Sequence, residues 1–424
     1  MLLAFYSIAI TLALLVSAPF WLLRMATTGK YREGLPQRLG RVPRALRGYV
    51  KGKPVLWIHA VSVGEVLAAS RLIQSLREQS GCAVVISTTT RTGQALARER
   101  FGADSVFYFP LDFAFAVRAC LRALQPRMLV LLETEFWPRM LSECHRRHIP
   151  VAVVNARISN RSWPRYHRLR KLWQPLLRNF AAVLAQSEVD AQRMQALGAA
   201  NAVATGNLKY DIRIAEPAPI VETIRRHLPS GAPVLVCGST CAIGSESEEQ
   251  ILLSAFPADA VTLLAPRHPE RFNAVAQILA VSGRTWYRRT TWAANPVPLA
   301  PGSILLLDTI GELAGLYAIA TVAFVGGSLI PKGGHNPLEP AQFAVPVLTG
   351  PHVENFRGIV HTLLAENALT ITPPENVSIA IANLFAHPQE ARRMGMAAQK
   401  VCRREAGATD RAVATILNIL RDQS

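Results

Sequence analysis

The sequence lacks the cysteine and histidine patterns that mark disulfide and metal sites. Its six cysteines are scattered over 424 residues and include no CxxC pair, which argues against a disulfide framework or a zinc site and fits a reducing compartment. It contains no HExxH or DxD motif that would supply metal ligands, and no GxSxG motif that would supply a nucleophilic serine. We therefore expect chemistry that uses neither a metal ion, nor a cofactor, nor a covalent serine intermediate.

Acidic and aromatic residues are also scarce. The chain has 29 Asp and Glu against 46 Lys and Arg, a net charge of +17 that favours an anionic partner. Aromatic residues make up only 7%, and no segment alternates basic and stacking residues as RNA-binding sheets do. We therefore do not expect a nucleic acid partner. The charge favours an acidic membrane surface or a phosphorylated substrate.

The first 23 residues carry no charge at all, and a helix of that length can cross a bilayer. A cleaved signal peptide would begin with basic residues, which are missing here. Residues 24–53 then hold nine basic residues and one acid, and the positive-inside rule keeps such a flank in the cytoplasm. We expect residues 1–23 to anchor the chain to the membrane. The alternative is a helix that lies in the interface or is buried in the protein.

Apolar runs of strand length recur along the chain, and each is followed by a helix-like stretch. Continuous hydrophobic strands that alternate with helices are typical of parallel sheets covered on both faces. The runs form two series, separated by a polar, proline-containing stretch at 211–220: first 54–61, 83–89, 128–133, 150–156 and 181–187, then 233–240, 261–267, 303–308, 321–327 and 346–350.

This pattern predicts two Rossmann-like, doubly wound α/β domains that face a cleft. We place the first domain at residues 24–212 and the second at 213–424. The last stretch of the chain looks like an amphipathic helix, and it is available to pack back on the first domain.

Charged residues follow the strands of the first domain, where open α/β sheets bind ligands. Gly64 and Glu65 lie at a strand-to-helix turn, which the glycine is expected to permit. Glu133 and Glu135 follow another strand, and Lys209 follows a short turn. One carboxylate at a helix start merely caps the helix. Two carboxylate positions and a lysine on one edge can instead provide a general base and a stabilising cation. Strand alternation puts both glutamates of the second pair on the same side.

In the second domain the predicted strand ends carry Arg267 with His268, then Gly311 with Glu312, then the glycine-rich stretch 324–341. Glycine-rich turns that lead into a helix expose backbone N–H groups suited to phosphate. Glu339 follows in the first turn of that helix, a position from which a carboxylate can accept two ribose hydroxyls. We therefore predict a nucleotide site, although tight turns alone also require glycine pairs.

The segment 156–180 is rich in basic residues with aromatic residues among them. A solvated basic helix explains this composition, and so does a surface that meets anionic headgroups or a phosphorylated lipid. The residues concerned are Arg157, Arg161, Arg165, Arg168, Arg170, Lys171 and Arg178, with Trp163, Tyr166 and Trp173.

Taken together and in order, seven motifs resemble those of the 3-deoxy-D-manno-octulosonic acid (Kdo) transferases, the membrane-anchored enzymes of lipopolysaccharide assembly. The resemblance spans nearly the whole chain. The motifs are YREGLPQRLG (31–40), HAVSVGE (59–65), ETEFWP (133–138), NARIS (155–159), GNLKYD (206–211), PRHPER (266–271) and FVGGSL…GGHNPLEPA (324–341).

The resemblance implies the two-domain B-type glycosyltransferase fold. It also implies transfer of Kdo from CMP-Kdo to the lipid A precursor, lipid IVA, with inversion at the anomeric carbon and without a metal ion. The expected location is the bacterial inner membrane, with the catalytic domains in the cytoplasm.

The resemblance further implies roles for individual residues. Glu65 is expected to be the proton acceptor, and Glu133 and Lys209 are expected to assist the transition state. The expected CMP contacts are Pro266, Arg267, Ile310, Gly311, Glu312, Asn336, Pro337, Leu338 and Glu339.

One stretch departs from the family. Its members usually have S-T-H-x-G-E-E after the first strand of the donor domain, whereas this chain has STCAIGSESEE (239–249), which is longer and lacks the histidine. Donor contacts in this loop, and any role of that histidine, therefore do not carry over.

Two other functions fit the same features. The chain can be another membrane-associated transferase of this fold that uses a UDP-sugar, which a panel of donors would distinguish. It can also be a non-catalytic, membrane-anchored protein that binds lipid. That alternative predicts that Glu65→Ala leaves function intact, because binding requires charge and no base.

Overall fold

The computed structural model describes residues 2–28, 33–211 and 219–422. The chain forms two compact units, one of Met1–Asp211 with Ala406–Ser424 and the other of Ile212–Glu405. Most of the predicted linker at 211–220 lies outside the described residues.

The first unit contains a seven-stranded parallel sheet. Its strands are β1 Val55–His59, β2 Ala83–Thr88, β3 Val106–Tyr108, β4 Pro126–Leu132, β5 Val151–Ala156, β6 Ala182–Ala185 and β7 Ala202–Ala204. Their order in the sheet is β3-β2-β1-β4-β5-β6-β7. The helices are α1 Leu2–Thr28, α2 Leu35–Arg38, α3 Arg44–Val50, α4 Val63–Ala68, α5 Ser70–Gln79, α6 Arg91–Phe101, α7 Ala114–Leu124, α8 Pro138–Arg146, α9 Trp163–Arg168, α10 Arg170–Leu177 and α11 Glu188–Ala196.

The second unit contains another seven-stranded parallel sheet and a small antiparallel hairpin. Its strands are β8 Val234–Thr240, β9 Ala242–Ile243, β10 Glu246–Ser247, β11 Val261–Pro266, β12 Trp286–Arg288, β13 Ile304–Leu306, β14 Val322–Val325, β15 Val347–Thr349 and β16 Thr370–Ile371. The sheet order is β12-β13-β11-β8-β14-β15-β16, and β9 pairs with β10. The helices are α12 Pro219–His227, α13 Glu248–Leu253, α14 Phe272–Ala280, α15 Arg289–Ala294, α16 Leu313–Leu316, α17 Leu338–Ala341, α18 Arg357–Ala365, α19 Val377–Ala386 and α20 Pro388–Glu405.

Each interior strand is buried on both faces, as continuous hydrophobic strands require. In β1, Trp57 belongs to the core on one face of the sheet, while Leu56 and Ile58 belong to the core on the other. This alternation is the two-residue period of a strand. It confirms the prediction of two parallel-sheet α/β domains, and all ten predicted strands are found within two residues of their predicted ends.

The terminal helix, α21 Ala408–Arg421, belongs to the first unit although the chain enters it from the second. Asp211 accepts hydrogen bonds from the N–H groups of Gly407 and Thr409 at the start of this helix. Along the helix, Ala412 and Ile416 are fully buried in the core that also contains β1. The carboxylate of Asp211, where the chain leaves the first unit, therefore binds the segment 407–409, where the chain returns to it.

The motif at 31–40 is structural where the structure describes it, from residue 33 onward. The Gln37 side chain accepts a hydrogen bond at 2.8 Å from the N–H of Tyr108, which lies in the edge strand β3. The Arg38 guanidinium donates to the carbonyl of Thr89 and lies 4.6 Å from the Tyr108 ring centre. This segment therefore covers an exposed sheet edge, where unpaired backbone groups would otherwise invite association.

The uncharged N-terminal segment forms α1. Among the residues that the structure describes, none of the helices combines the length and the apolar character needed to cross a membrane. The spanning form of the predicted anchor at residues 1–23 is therefore not supported. Arg139 of α8 donates a hydrogen bond to the Ser7 hydroxyl, so the start of α1 contacts α8 within the first unit. Several apolar side chains of α1 are exposed: Ile8, Leu12, Leu14, Leu15, Val16 and Phe20.

Candidate active site

The order of the strands explains why charged residues meet in the first unit. Because β1, β4 and β5 are neighbours and parallel, their carboxyl ends lie at the same edge of the sheet. Glu65 follows β1, and Glu133 and Glu135 follow β4, while Lys209 lies in a short turn after β7. These four side chains are close enough to shift one another's pKa. The structure thus brings together the residues that the sequence placed at one edge.

Glu65 lies in the first turn of α4 and is only 9% exposed. Its carboxyl group accepts hydrogen bonds from the Val61 N–H at 2.8 Å and from the Ser62 hydroxyl at 3.2 Å. Burial raises the pKa of Glu65 to about 8; the nearby charges of Glu133 and Glu135 add to the rise, and the two hydrogen bonds oppose it. A carboxyl group with a pKa near neutrality is suited to general-base chemistry.

Gly64 does not have the role that the sequence suggested. It lies within α4, and it is not among the glycines with positive φ. The nearest described atom to a Cβ built at this position is the Ser62 Oγ, at 3.9 Å. Ser62 makes the turn instead, with extended backbone angles of φ −130° and ψ 171°. The prediction that Gly64 permits the turn was wrong, because an ordinary helical residue fits there.

Glu133 follows β4 directly with a φ of 55°, a left-handed conformation that is uncommon outside glycine. Its N–H donates to the Val154 carbonyl at 2.9 Å, which fixes this conformation. The strand therefore ends before Glu133, and strand alternation does not relate this residue to Glu135 as we predicted.

The surroundings distinguish the two glutamates. Burial raises the pKa of both, but Lys209 and Arg157 lower that of Glu133, whereas the charge of Glu133 raises that of Glu135 further. Burial lowers the pKa of Lys209, and the charge of Glu133 is the largest effect that opposes it. Glu133 is thus the carboxylate that is paired electrostatically with the lysine.

Two residues near the end of β5 complete this site, and we did not assign them to it from the sequence. Arg157 lies close enough to lower the pKa of Glu133. Asn155 has a left-handed φ of 60°, and its side-chain oxygen accepts a hydrogen bond at 3.1 Å from Leu208, next to Lys209. The strand-end rule that identified Glu133 would also have found both, since they border the end of β5.

In the second unit, the glycine-rich turn is filled by a side chain of the protein itself. Glu248 is 0% exposed, and its carboxylate accepts four backbone hydrogen bonds. The donors are the N–H groups of Cys241 at 2.8 Å, Gly327 at 2.6 Å, Ser328 at 2.8 Å and Leu329 at 2.8 Å. We predicted that glycine-rich N–H groups here would bind phosphate. For these groups the prediction was wrong, because an internal carboxylate already occupies them.

The glycine pair at the end of β14 is needed for packing. A Cβ on Gly326 would lie 2.7 Å from the Ser239 carbonyl oxygen and 2.9 Å from the Glu248 carboxylate. Gly327 has a φ of 68°, and a Cβ there would lie 2.7 Å from the His335 ring. Both positions therefore exclude side chains, whether or not a ligand is bound.

The expected CMP contacts after β11 and β14 lie near one another. Burial raises the pKa of Glu339, while the charge of Arg267 and a hydrogen bond from Asn336 lower it. The Asn336 side-chain oxygen also accepts from the N–H of Leu338 at 3.2 Å, which sets the turn that contains Pro337. Pro266 is the last residue of β11 and leads into the exposed Arg267.

The remaining expected contacts follow β13, which is a neighbour of β11. Ile310 is 75% exposed, and Gly311 has a φ of 90°. The carboxylate of Glu312 is engaged within the protein, where it contacts the Arg289 guanidinium and the Thr309 hydroxyl. The exposed part of this turn is therefore Ile310 and the backbone beside it, and Glu312 maintains the shape of the turn.

The loop that departs from the family contains the hairpin β9–β10, with Gly244 in its turn. Cys241 stands where the family has histidine, and its Sγ lies 3.4 Å from the Nε2 of His335. The second of the two glutamates that end the loop, Glu249, pairs with Arg271 at 2.7 Å and is fully buried. The extra residues thus form a hairpin while both glutamates keep structural partners.

The basic segment 156–180 contains α9 and α10, and all seven of its basic side chains are exposed. Its three aromatic residues, Trp163, Tyr166 and Trp173, are half-buried and pack against the core of the first unit. One of the two interpretations of this segment places its aromatic residues at a membrane interface, but these rings pack against the core beneath the basic side chains. The exposed surface is instead cationic, with Leu169 and Leu172 as its exposed apolar side chains.

Known proteins resemble this chain over most of its length. The family model described as 3-Deoxy-D-manno-octulosonic-acid transferase (kdotransferase) matches residues 33–212. The 3-deoxy-D-manno-octulosonic acid transferase of Haemophilus influenzae is 34% identical over 396 residues, which cover 90% of each chain. The Bordetella pertussis protein of the same name is 34% identical over 427 residues, or 95% of this chain and 97% of its own.

The fold is similar to that of a solved glycosyltransferase. The crystal structure of MurG from Acinetobacter baumannii matches with a TM-score of 0.55, over 86% of this chain and 99% of that one. The sequences are only 14% identical, so the likeness concerns the fold alone. It agrees with the predicted architecture of two α/β domains.

Proposed function

Because the chain belongs to the Kdo transferase family and is therefore a glycosyltransferase, we propose that it transfers Kdo from CMP-Kdo to the lipid A precursor, lipid IVA. The observation that carries the mechanism is Glu65, a buried carboxyl group whose pKa is raised to about 8 beside Glu133 and Lys209. No metal ion or cofactor takes part in the proposed reaction.

In the proposed step, a hydroxyl group of the acceptor attacks the anomeric carbon of Kdo from the face opposite CMP. Glu65 accepts the hydroxyl proton as the new C–O bond forms. The bond between the anomeric carbon and the phosphate oxygen breaks, and its electron pair leaves with CMP, so the configuration is inverted. Lys209 and Arg267 offset negative charge near the sugar carboxylate and the departing phosphate, as fixed cations do in preorganised sites.

The proposed CMP site consists of the three turns that follow β11, β13 and β14. Pro266 and Arg267 form the first turn, 310–312 the second and 336–339 the third. The parallel sheet supports this assignment, because it places the ends of these strands at the same edge. Arg267 supplies positive charge for the phosphate, and Glu339 supplies a hydrogen-bond acceptor for the ribose.

We propose that the protein lies at the cytoplasmic face of the inner membrane and is attached to it through exposed side chains of α1, α9 and α10. The exposed apolar side chains of α1 favour contact with lipid. The exposed basic side chains of α9 and α10 favour the phosphate groups of the acceptor and of anionic lipids. Deleting residues 1–23 should release the protein from membranes while it still acts on a solubilised acceptor. Continued sedimentation with membranes would make the basic segment the main attachment.

The proposed function is tested by one assay of purified protein with CMP-Kdo and lipid IVA in the presence of EDTA. CMP release and lipid product are followed for the wild type and for Glu65→Gln. We expect turnover by the wild type and a loss of about a hundredfold or more in the variant, since general-base removal has effects of that size. Glu99→Gln, at an exposed position of α6, is the matched control and should remain active.

Two outcomes would contradict the proposal. Full turnover by Glu65→Gln would remove the proposed base. Turnover with a UDP-sugar and none with CMP-Kdo would remove the proposed donor, while leaving the family fold unaffected.

A further inference from the structure

The contact between Cys241 and His335 has no role in the mechanism above. Cys241 follows β8 directly and is 2% exposed. His335 lies in the turn before α17, and its backbone N–H donates to the Gly326 carbonyl at 3.1 Å. Its Nε2 lies 3.4 Å from the Cys241 Sγ. Backbone contacts of Cys241 with Glu248 and of His335 with Gly326 therefore hold both side chains in place.

The protonation of this pair follows from its surroundings. Burial, together with the charges of Arg267 and His268, lowers the pKa of His335 to about 4. Burial raises the pKa of Cys241 to about 11. Near neutral pH the pair therefore consists of a thiol and an uncharged imidazole, which has one donor and one acceptor nitrogen.

The thiol determines which nitrogen carries the proton. The Cys241 Sγ is closer to the His335 Nε2, at 3.4 Å, than to the Ser239 carbonyl, at 3.7 Å. An imidazole nitrogen is also a better acceptor than a thiol sulfur, which favours donation of the S–H to Nε2 and a ring proton on Nδ1. Among the described residues, the structure shows no hydrogen bond to this Nδ1.

We propose that the Nδ1–H of His335 donates a hydrogen bond to an anionic oxygen of the sugar donor, beside Arg267, and that Cys241 is the positioning residue that fixes this tautomer. The inference rests on the proposed function, because it requires a nucleotide-sugar donor at the turns after β11 and β14. A ring kept neutral by burial and by positive neighbours can donate a hydrogen bond to an anion while it remains uncharged near neutral pH. The anionic oxygen belongs either to the phosphate or to the sugar carboxylate.

The proposal is tested with His335→Asn and His335→Gln in the full-length protein. The amide nitrogen of Asn can occupy the position of Nδ1, whereas that of Gln reaches the position of Nε2. Binding of CMP is measured by calorimetry, and kcat and KM are measured with CMP-Kdo. Hydrogen bonds to charged groups have effects of about tenfold or more. We therefore expect His335→Gln to show about a tenfold weaker affinity for CMP or a tenfold higher KM for CMP-Kdo. In His335→Asn the same quantity should change less than threefold.

The two ligands distinguish the two oxygens. A loss in CMP affinity assigns the hydrogen bond to the phosphate. Unchanged CMP affinity with a tenfold higher KM for CMP-Kdo assigns it to the sugar carboxylate. Equal CMP affinity and equal KM in the wild type and His335→Gln, with unchanged thermal unfolding, would overturn the inference.

The role of Cys241 is tested separately, so that a misfolded His335 variant does not decide the question. Cys241→Ser keeps a hydroxyl donor, and Cys241→Ala removes the donor. Nitrogen-15 NMR of the His335 ring should show the Nδ1–H tautomer in the wild type and Cys241→Ser, and a mixture in Cys241→Ala. The Nε2–H tautomer in the wild type would overturn the inference. A wild type that neither binds CMP nor uses CMP-Kdo would refute the proposed function itself, and this inference with it.

Discussion

Two buried glutamates, Glu65 in the first unit and Glu248 in the second, lie in similar places and differ in their hydrogen bonds. Each belongs to the first turn of the helix that follows an interior strand, β1 or β8. Glu248 accepts four backbone N–H groups. Glu65 accepts one backbone N–H and one hydroxyl, and two further carboxyl groups lie near it.

The difference in hydrogen bonds explains why one buried carboxylate is structural and the other is suited to chemistry. A hydrogen bond to a charged group contributes about 1.5–3 kcal/mol, so four of them offset much of the cost of burying a charge. Burial also raises the pKa of Glu248, but its four N–H partners oppose that rise. Glu65 has fewer donors and negative neighbours, so its pKa approaches neutrality. The number of donors, rather than burial alone, separates the two.

We expect a large loss of stability from substitution of Glu248. In Glu248→Gln, an amide N–H2 group must face backbone N–H donors, so at least one of them loses its acceptor. We expect the free energy of unfolding of the second unit to fall by about 4 kcal/mol, the range for disrupting a buried charged network. Urea unfolding followed by circular dichroism measures this change. Glu246→Gln, at an exposed position of the hairpin, is the control. A loss below about 1 kcal/mol would mean that the four donors are not what holds the turn.

The interior strands could be predicted from the sequence because they are buried on both faces and so appear as continuous hydrophobic runs. The strands that we missed are β3, β7, β12 and β16 at the sheet edges, together with the hairpin β9–β10. Each has only two or three residues, and β7, β12 and β16 are partly exposed, so they lack the continuous burial of the interior strands. Short edge strands also protect a sheet from association, so their weak pattern has a physical cause.

The site was partly predictable for a similar reason. Parallel strands bring their carboxyl ends to one edge, so Glu65 and Glu133 could be grouped from strand positions. Lys209 was added from its position after a short turn. The role of Glu248 could not be predicted from the sequence, because three of its four hydrogen-bond donors lie 79 to 81 residues away along the chain. A glycine-rich turn suggests an anion, and only the tertiary structure shows that the anion is the protein's own.

The pH dependence of turnover tests whether the raised pKa of Glu65 controls the reaction. The proposed base must be ionised, and its pKa in the folded protein is raised to about 8. The ionised fraction is then about 1% at pH 6 and about one half at pH 8, so kcat/KM should rise about fiftyfold over this range. An ordinary glutamate would already be ionised at pH 6 and would give no such rise. A flat profile of kcat/KM between pH 6 and pH 8 would therefore show that Glu65 is not the titrating base.

The most direct contrast between Glu65 and Glu248 is that the same substitution, Glu to Gln, should change the free energy of unfolding in opposite directions at the two sites. The pKa of Glu65 is raised on folding from 4.5 to about 8, so the folded state binds more protons than the unfolded state between these values. Stability from this group is therefore complete below about pH 4.5 and is lost as the pH rises through 8. Glu65→Gln keeps the neutral form at every pH. By linkage from these two pKa values it should raise the free energy of unfolding by about 4 kcal/mol at pH 8 and by about 1 kcal/mol or less at pH 5. Urea unfolding at both values, with Glu99→Gln as the control, measures this gain. If Glu65→Gln were destabilising at pH 8, as Glu248→Gln is expected to be, the two glutamates would not differ in the way that their hydrogen bonds indicate.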